Sequence, residues 1–297
     1  MSTAAVEIPA GRRLYWSMRR ELWENRSIYL GPLAVGAVVV IGFFIALISL
    51  PGRIRTASAL GERELRAVIE QPFLIAALML MAIEMIVAVF YSLDALYGER
   101  RDRSVLFWKS LPVSDLTTVL AKASIPILLL PLVTWVVTVA TQVVMLVVSS
   151  IALAAAGMSA ATVWAHVPLL ETSWINFAHL VTFHGIWYAP LYAWLLLVSA
   201  WATRAPFLWA VLPPVAVGIF ERIAFGSRHF VTLLQTHFLG ESPSDHAGPM
   251  TMEMSMDMLY PPTLGHFFAS PGLWIGLLVT IVFLLGAVRL RRVRGPM

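Results

Sequence analysis

Five methionines at alternate positions, Met250, Met252, Met254, Met256 and Met258, follow closely on His246. Thioether sulfur and imidazole nitrogen are ligands for Cu(I), so this stretch is one candidate metal site. Its other reading is a flexible apolar cap, because methionine fills irregular gaps. Glu84 is a single carboxylate inside a long apolar run. A charge in such a run is costly and faces the interior, either as a proton or substrate contact or as a structural carboxyl. His184, Trp187 and Tyr192 lie in an aromatic-rich stretch. They read as an aromatic-lined path for an amphiphilic substrate or as belts at a membrane surface. The chain has no cysteine, which removes disulfides, thiolate metal sites and thiol catalysis. It has no G-x-x-x-x-G-K-[ST], no H-E-x-x-H and no G-x-S-x-G, so no catalytic residue is assigned and the chain is not read as an enzyme.

The elements that position these residues follow from composition. Of 297 residues, 59% are hydrophobic and 13% charged, against about 25% charged in an ordinary soluble domain. A soluble fold of this size cannot hide so much apolar surface. A span needs roughly 20 apolar residues. Six candidates result, at about 31–50, 71–95, 123–155, 175–202, 205–224 and 270–289. The expected fold is all-α, a polytopic membrane protein with residues 1–30 as an amphipathic helix and 31–297 as a single transmembrane domain. An outer loop spans 225–269.

The net charge of +4 resembles a nucleic-acid signal until the basic residues are mapped. With a cytoplasmic N-terminus, the inner segments hold Arg12, Arg13, Arg19, Arg20 and Arg26; Arg100, Arg101, Arg103, Lys109 and Lys122; Arg204; and Arg289, Arg291, Arg292 and Arg294. These are 15 of the 21 basic residues. The positive-inside rule therefore predicts both termini in the cytoplasm, and the charge is a topology signal with no nucleic-acid partner implied. Thirty residues precede the first span, which does not fit a cleavable signal. Residues 12–29 read instead as an amphipathic helix, with Leu14, Tyr15, Met18, Leu22 and Trp23 at helical spacing and basic residues opposite. Such a helix lies on the membrane surface.

The loop at 97–122 is the most informative segment. Glu99, Arg100, Arg101, Asp102 and Arg103 mix both charge signs, and Val105, Leu106, Phe107 and Trp108 form an apolar patch. Pro112 then breaks the chain and Ser114 starts a helix. Exposed aromatics beside mixed charge mark a docking element, or simply side chains in the membrane interface.

This loop resembles that of the type-2 ABC exporter permeases. Their recurrent pattern is a charged E/D-R-x-x-S/T segment, an apolar run, S-L-P-V-S and a closing lysine. The matching residues are Glu99, Arg100, Asp102, Arg103 and Ser104; Ser110, Leu111, Pro112, Val113 and Ser114; and Lys122. The six-span layout and the amphipathic start agree with it. The large apolar stretch after the third span and the Met-rich loop depart from it. The resemblance implies a coupling helix seated in a separate ATPase subunit. Two ATPase copies would carry ATP and Mg, and a second permease copy or a sister permease would complete the assembly in the inner membrane. The implied ATPase contacts are Arg100, Asp102, Arg103, Phe107, Trp108, Leu111 and Asp115. The alternatives are a copper-linked permease using the Met-rich loop, and an ATP-independent carrier or assembly factor.

Overall fold

The computed structural model describes residues 9–104, 113–239 and 264–294, and every regular element within them is helical. In chain order these are α1 (Ala10–Glu24), α2 (Ser27–Ala46), α3 (Leu50–Leu60), α4 (Glu62–Asp94), α5 (Tyr97–Arg101), α6 (Asp115–Ser124) and α7 (Leu130–Ala155). They continue with α8 (Ala161–His166), α9 (Leu169–His179), α10 (Ala189–Trp201), α11 (Pro206–Phe225), α12 (His229–Leu239), α13 (Leu264–Ala269) and α14 (Pro271–Val293). A π-helical turn at Ile125–Leu129 joins α6 to α7, and another follows α9 at Leu180–Trp187. The first contains Pro126, which has no N–H for the helical ladder, and a π turn absorbs that break.

Among the described residues, five runs are long and apolar enough to cross a membrane: Ser27–Ala46, Glu62–Arg101, Asp115–Ala155, Pro206–Phe225 and Pro271–Val293. Leu169–Trp187 and Ala189–Trp201 form a pair bent by 45°, which makes a sixth if counted as one span. The break falls at Tyr188, and Pro190 occupies the first turn of the second arm. There the missing N–H costs nothing. The described residues are thus helical in every regular element and include five or six long apolar helices, as expected of a multi-pass membrane protein.

The amphipathic helix is shorter than the pattern predicts. It ends at Glu24, and Tyr29 belongs to α2. The Asn25 side chain bonds back to the Glu21 carbonyl at 3.2 Å. That local bond competes with continued helix, a habit of asparagine.

Internal packing divides the described residues into two compact units. One takes its residues from Arg26–Val87 and Leu128–Thr182. Its core holds Phe43, Ile54, Ile69, Phe73, Met145, Leu146 and Val163. Gly36 lets α2 lie close to α7, because a Cβ there would meet Thr141 Oγ1 at 3.0 Å and Val137 Cγ1 at 3.1 Å. Small residues serve this purpose where helices meet in lipid. Helix α7 ends in a glycine cap: Gly157 takes φ of 70°, and the Met158 amide donates to Leu153 O at 2.9 Å.

The other unit takes its residues from Met1–Asn25, Ala88–Ile127 and Phe183–Met297. Helices α10 and α14 pair along their length, with Gly286 against Leu197, Gly276 against Pro190 and the Trp194 and Phe283 rings 5.4 Å apart. Leu96, Val119, Ala200, Ala287 and Val288 form one buried cluster here. Large apolar side chains stay exposed on α11 and α14, including Leu212, Ile219, Leu278 and Val282. Bands of this kind suit a hydrocarbon solvent.

Candidate coupling site

The loop at 97–122 is held at both ends. At its start, the α10 hydroxyl of Ser199 accepts the backbone N–H groups of Leu96 and Tyr97, at 3.0 and 2.8 Å. These are orphan donors at the entry to α5. The Arg100 guanidinium donates to the carbonyls of Ser199 and Ala202, and Arg294 donates to the carbonyl of Trp201. The C-terminal carbonyls of α10 therefore meet two arginines, the charge that the negative end of a helix favours. At the loop's other end, Ser114 caps α6 by accepting the Thr117 N–H at 3.1 Å, as the Pro-x-Ser pattern predicts.

Between these ends lies a buried charge cluster. Lys122, 2% exposed, sits at its centre. Its ammonium lies 2.9 and 3.0 Å from the two Glu21 carboxylate oxygens and 3.1 Å from Glu99 Oε1. Arg20 donates to Glu21 at 2.6 Å and reaches Glu99 at 3.4 Å. Tyr91 donates its hydroxyl to Glu21 Oε2 at 2.9 Å. From α14, Arg291 donates to Glu99 Oε2 and, at 3.1 Å, to Asp115 Oδ1. Three carboxylates, Glu21, Glu99 and Asp115, thus meet three cations, Arg20, Lys122 and Arg291. The balance matters, because a buried charge left without its partner is strongly destabilising. Burial alone pushes the Glu21 carboxyl up, but Lys122 and Arg20 outweigh it and hold the group below the ordinary carboxylate range.

The residues implied as ATPase contacts fall into three groups. Arg100 and Asp115 turn toward α10 and α14, as just described. Asp102 and Arg103 are exposed, and Arg103 takes a left-handed φ of 57°. Phe107, Trp108 and Leu111 lie outside the described residues. Sequence reasoning passed over Glu21, counted Arg291 only as a topology marker, and used Glu99 and Lys122 as pattern matches with no sign of their pairing. One signal was available: Ser17, Glu21 and Glu24 share a side of α1 at three- and four-residue spacing.

Elsewhere, Glu84 is wholly buried in the unit of α2 and α7. His184, Trp187 and Tyr192 all belong to the other unit. Tyr192 is wholly buried, and His184 packs edge-on to Tyr188. Trp187 stacks on His237 with centroids 4.7 Å apart and donates its indole N–H to the His237 carbonyl at 2.6 Å. Met250, Met252, Met254, Met256, Met258 and His246 lie outside the described residues. Among the described residues, no three His, Asp or Glu side chains gather as a metal site. Comparison with family models, with curated proteins and with solved structures returned no match.

Proposed function

We propose that the chain is the membrane-spanning subunit of an ATP-driven exporter of the type-2 ABC kind, moving an amphiphilic substrate across the inner membrane. Separate ATPase subunits, carrying ATP and Mg, would dock on the 97–122 loop, and a second copy or sister permease would complete the assembly. One observation carries this reading: both ends of the loop are tied to one buried cluster, through Glu99 and Lys122. A coupling element must move as a rigid body with the helices it drives. A loop pinned through α1, α6 and α14 meets that requirement, and one that merely joined two spans would not need it. Arg101, Asp102 and Arg103 stay exposed at the near edge of the loop, where charge would steer and register a partner. Phe107 and Trp108 would supply the apolar anchors.

The test is co-purification of the tagged chain from detergent-solubilised native membranes, with mass spectrometry of its companions. A stoichiometric P-loop ATPase, lost when Arg103, Phe107 and Trp108 are replaced by alanine, is the expected result. A chain that stays oligomeric yet brings down no ATPase rules the reading out.

A further inference from the structure

Helix α1 has its polarity reversed relative to a helix packed on an ordinary core. The side toward the protein is polar: Ser17 and Glu21 are buried, and Arg20 joins them in the charge cluster. The outward side carries Arg12, Tyr15, Trp16, Arg19 and Trp23, all exposed and at three- and four-residue spacing. Trp23 is 71% exposed and Trp16 56%. The Arg19 guanidinium lies 5.1 Å from the centroids of both rings. Among the described residues, no carboxylate pairs with Arg12 or Arg19.

We infer that this face of α1 binds the headgroups of anionic phospholipids at the bilayer surface. Three arguments select that occupant. Indole and phenol rings beside arginine are the composition of the interfacial layer, where an apolar ring and a wet cation coexist. Cation–π contact holds the Arg19 guanidinium between two rings, leaving its N–H donors for an acceptor outside, and a planar fork of donors matches a phosphate. Only Asn25 and Arg26 separate α1 from the apolar helix that begins at Ser27, and two residues reach about 7 Å. The last turn of α1 therefore lies near the level at which a span starts. Its polar side is held by Lys122 and Glu99, so the aromatic side is oriented before any lipid arrives. The inference requires a membrane protein and does not depend on the exporter reading.

The absence of cysteine makes a local probe simple. Gly11 has nothing within 4 Å of a built Cβ, so Gly11→Cys accepts a small fluorophore as the single thiol site. The full-length labelled chain is placed in phosphatidylcholine nanodiscs containing a minor share of spin-labelled phosphatidylglycerol or spin-labelled phosphatidylcholine. Quenching then reports which lipid collects at α1. Stronger quenching by phosphatidylglycerol is expected, and each arginine near an anionic surface should contribute roughly fivefold. Arg12→Gln with Arg19→Gln should abolish the preference, while Arg12→Lys with Arg19→Lys should keep most of it. Arg204→Gln, a charge removed from the exposed turn before α11, should leave it unchanged. Equal quenching by both lipids overturns the proposal, leaving only an aromatic anchor. Quenching by neither means that protein covers the face, which also overturns it. A preference that survives the double glutamine substitution does so as well. No outcome depends on an ATPase, so failure here leaves the exporter reading standing, and the converse holds.

Discussion

The Lys122 ammonium reaches both carboxylate oxygens of Glu21, 101 residues earlier in the chain, at 2.9 and 3.0 Å. This contact joins the amphipathic helix to α6, the helix at the far end of the loop. Glu99 shares the same ammonium, so the near side of the loop joins as well. Three segments far apart in sequence therefore move with one buried charge.

Removing that charge should be costly. Lys122→Met leaves Glu21 and Glu99 facing each other with one cation fewer, and breaking a buried pair typically costs about 3–5 kcal/mol. Thermal unfolding in detergent should show the loss. Lys122→Met combined with Glu21→Gln restores neutrality and should recover a large part of it. Asp102→Ala, at an exposed position, should stay within about 0.5 kcal/mol of the parent. A Lys122→Met protein as stable as Asp102→Ala would mean that the cluster bears no load.

Acid should act on the same group. The folded Glu21 carboxyl lies below its ordinary value, and the unfolded value is about 4.3. The folded state therefore binds the proton less readily. Its stabilising contribution is complete above about pH 4.3 and is lost as pH falls through the lower, folded value. A stability curve measured through that window should drop with acid, and Glu21→Gln should flatten the drop while lowering stability at neutral pH. An identical acid limb in the glutamine variant would assign the effect to another carboxylate.

Much of this architecture was legible beforehand, and the reasons are specific. Apolar run length located the long apolar helices, and Ser114 after Pro112 announced the start of α6. Periodicity marked Tyr15 and Trp23 as the apolar side of a surface helix with the basic residues opposite, but Arg12 and Arg19 share the exposed side with those rings, and the opposite side, with Ser17 and Glu21, is buried. Charge mapping treated Lys122 and Arg291 as interchangeable topology markers. Their pairing with Glu21 and Glu99 depends on contacts across 101 and 192 residues, which no local pattern encodes.

The hydroxyl of Ser199 should matter beyond its size. It is wholly buried and accepts two backbone N–H groups, from Leu96 and Tyr97. Ser199→Ala leaves both donors unmet at a cost of about 1–3 kcal/mol. Hydrogen exchange at Leu96 and Tyr97 should accelerate, whereas Ser199→Thr should retain protection. Unchanged exchange in the alanine variant would show that the loop is held elsewhere.

The approach of α2 to α7 should be sensitive at one glycine and tolerant at another. Gly36 faces Thr141 Oγ1 and Val137 Cγ1 at the limit of contact, while Gly42 has nothing within 4 Å. Gly36→Leu should overpack the contact and cost about 1–3 kcal/mol. Gly42→Ala should be neutral or stabilising by about 0.5–1 kcal/mol, because glycine loses more freedom on folding. Comparable losses at both positions would mean that helix flexibility, not closeness, sets the requirement.

A second pH response, of opposite sign, belongs to the other unit. His166 Nδ1 lies 2.7 Å from the carbonyl of Thr162, and Nε2 lies 2.9 Å from Glu62 Oε1. The carbonyl raises the affinity of the ring for its proton, and the Glu62 carboxylate adds to that, so the folded group titrates above the ordinary histidine value. The unfolded value is about 6.5. The contribution is therefore complete below about pH 6.5 and is lost as pH rises through the higher, folded value. Glu62 is 75% exposed, so the effect should stay below about 1 kcal/mol and weaken in high salt. Glu62→Gln should lower the histidine titration midpoint read by NMR and remove the salt dependence, leaving the smaller part owed to Thr162. A midpoint that does not move in Glu62→Gln would show that the carboxylate contact is not kept in solution.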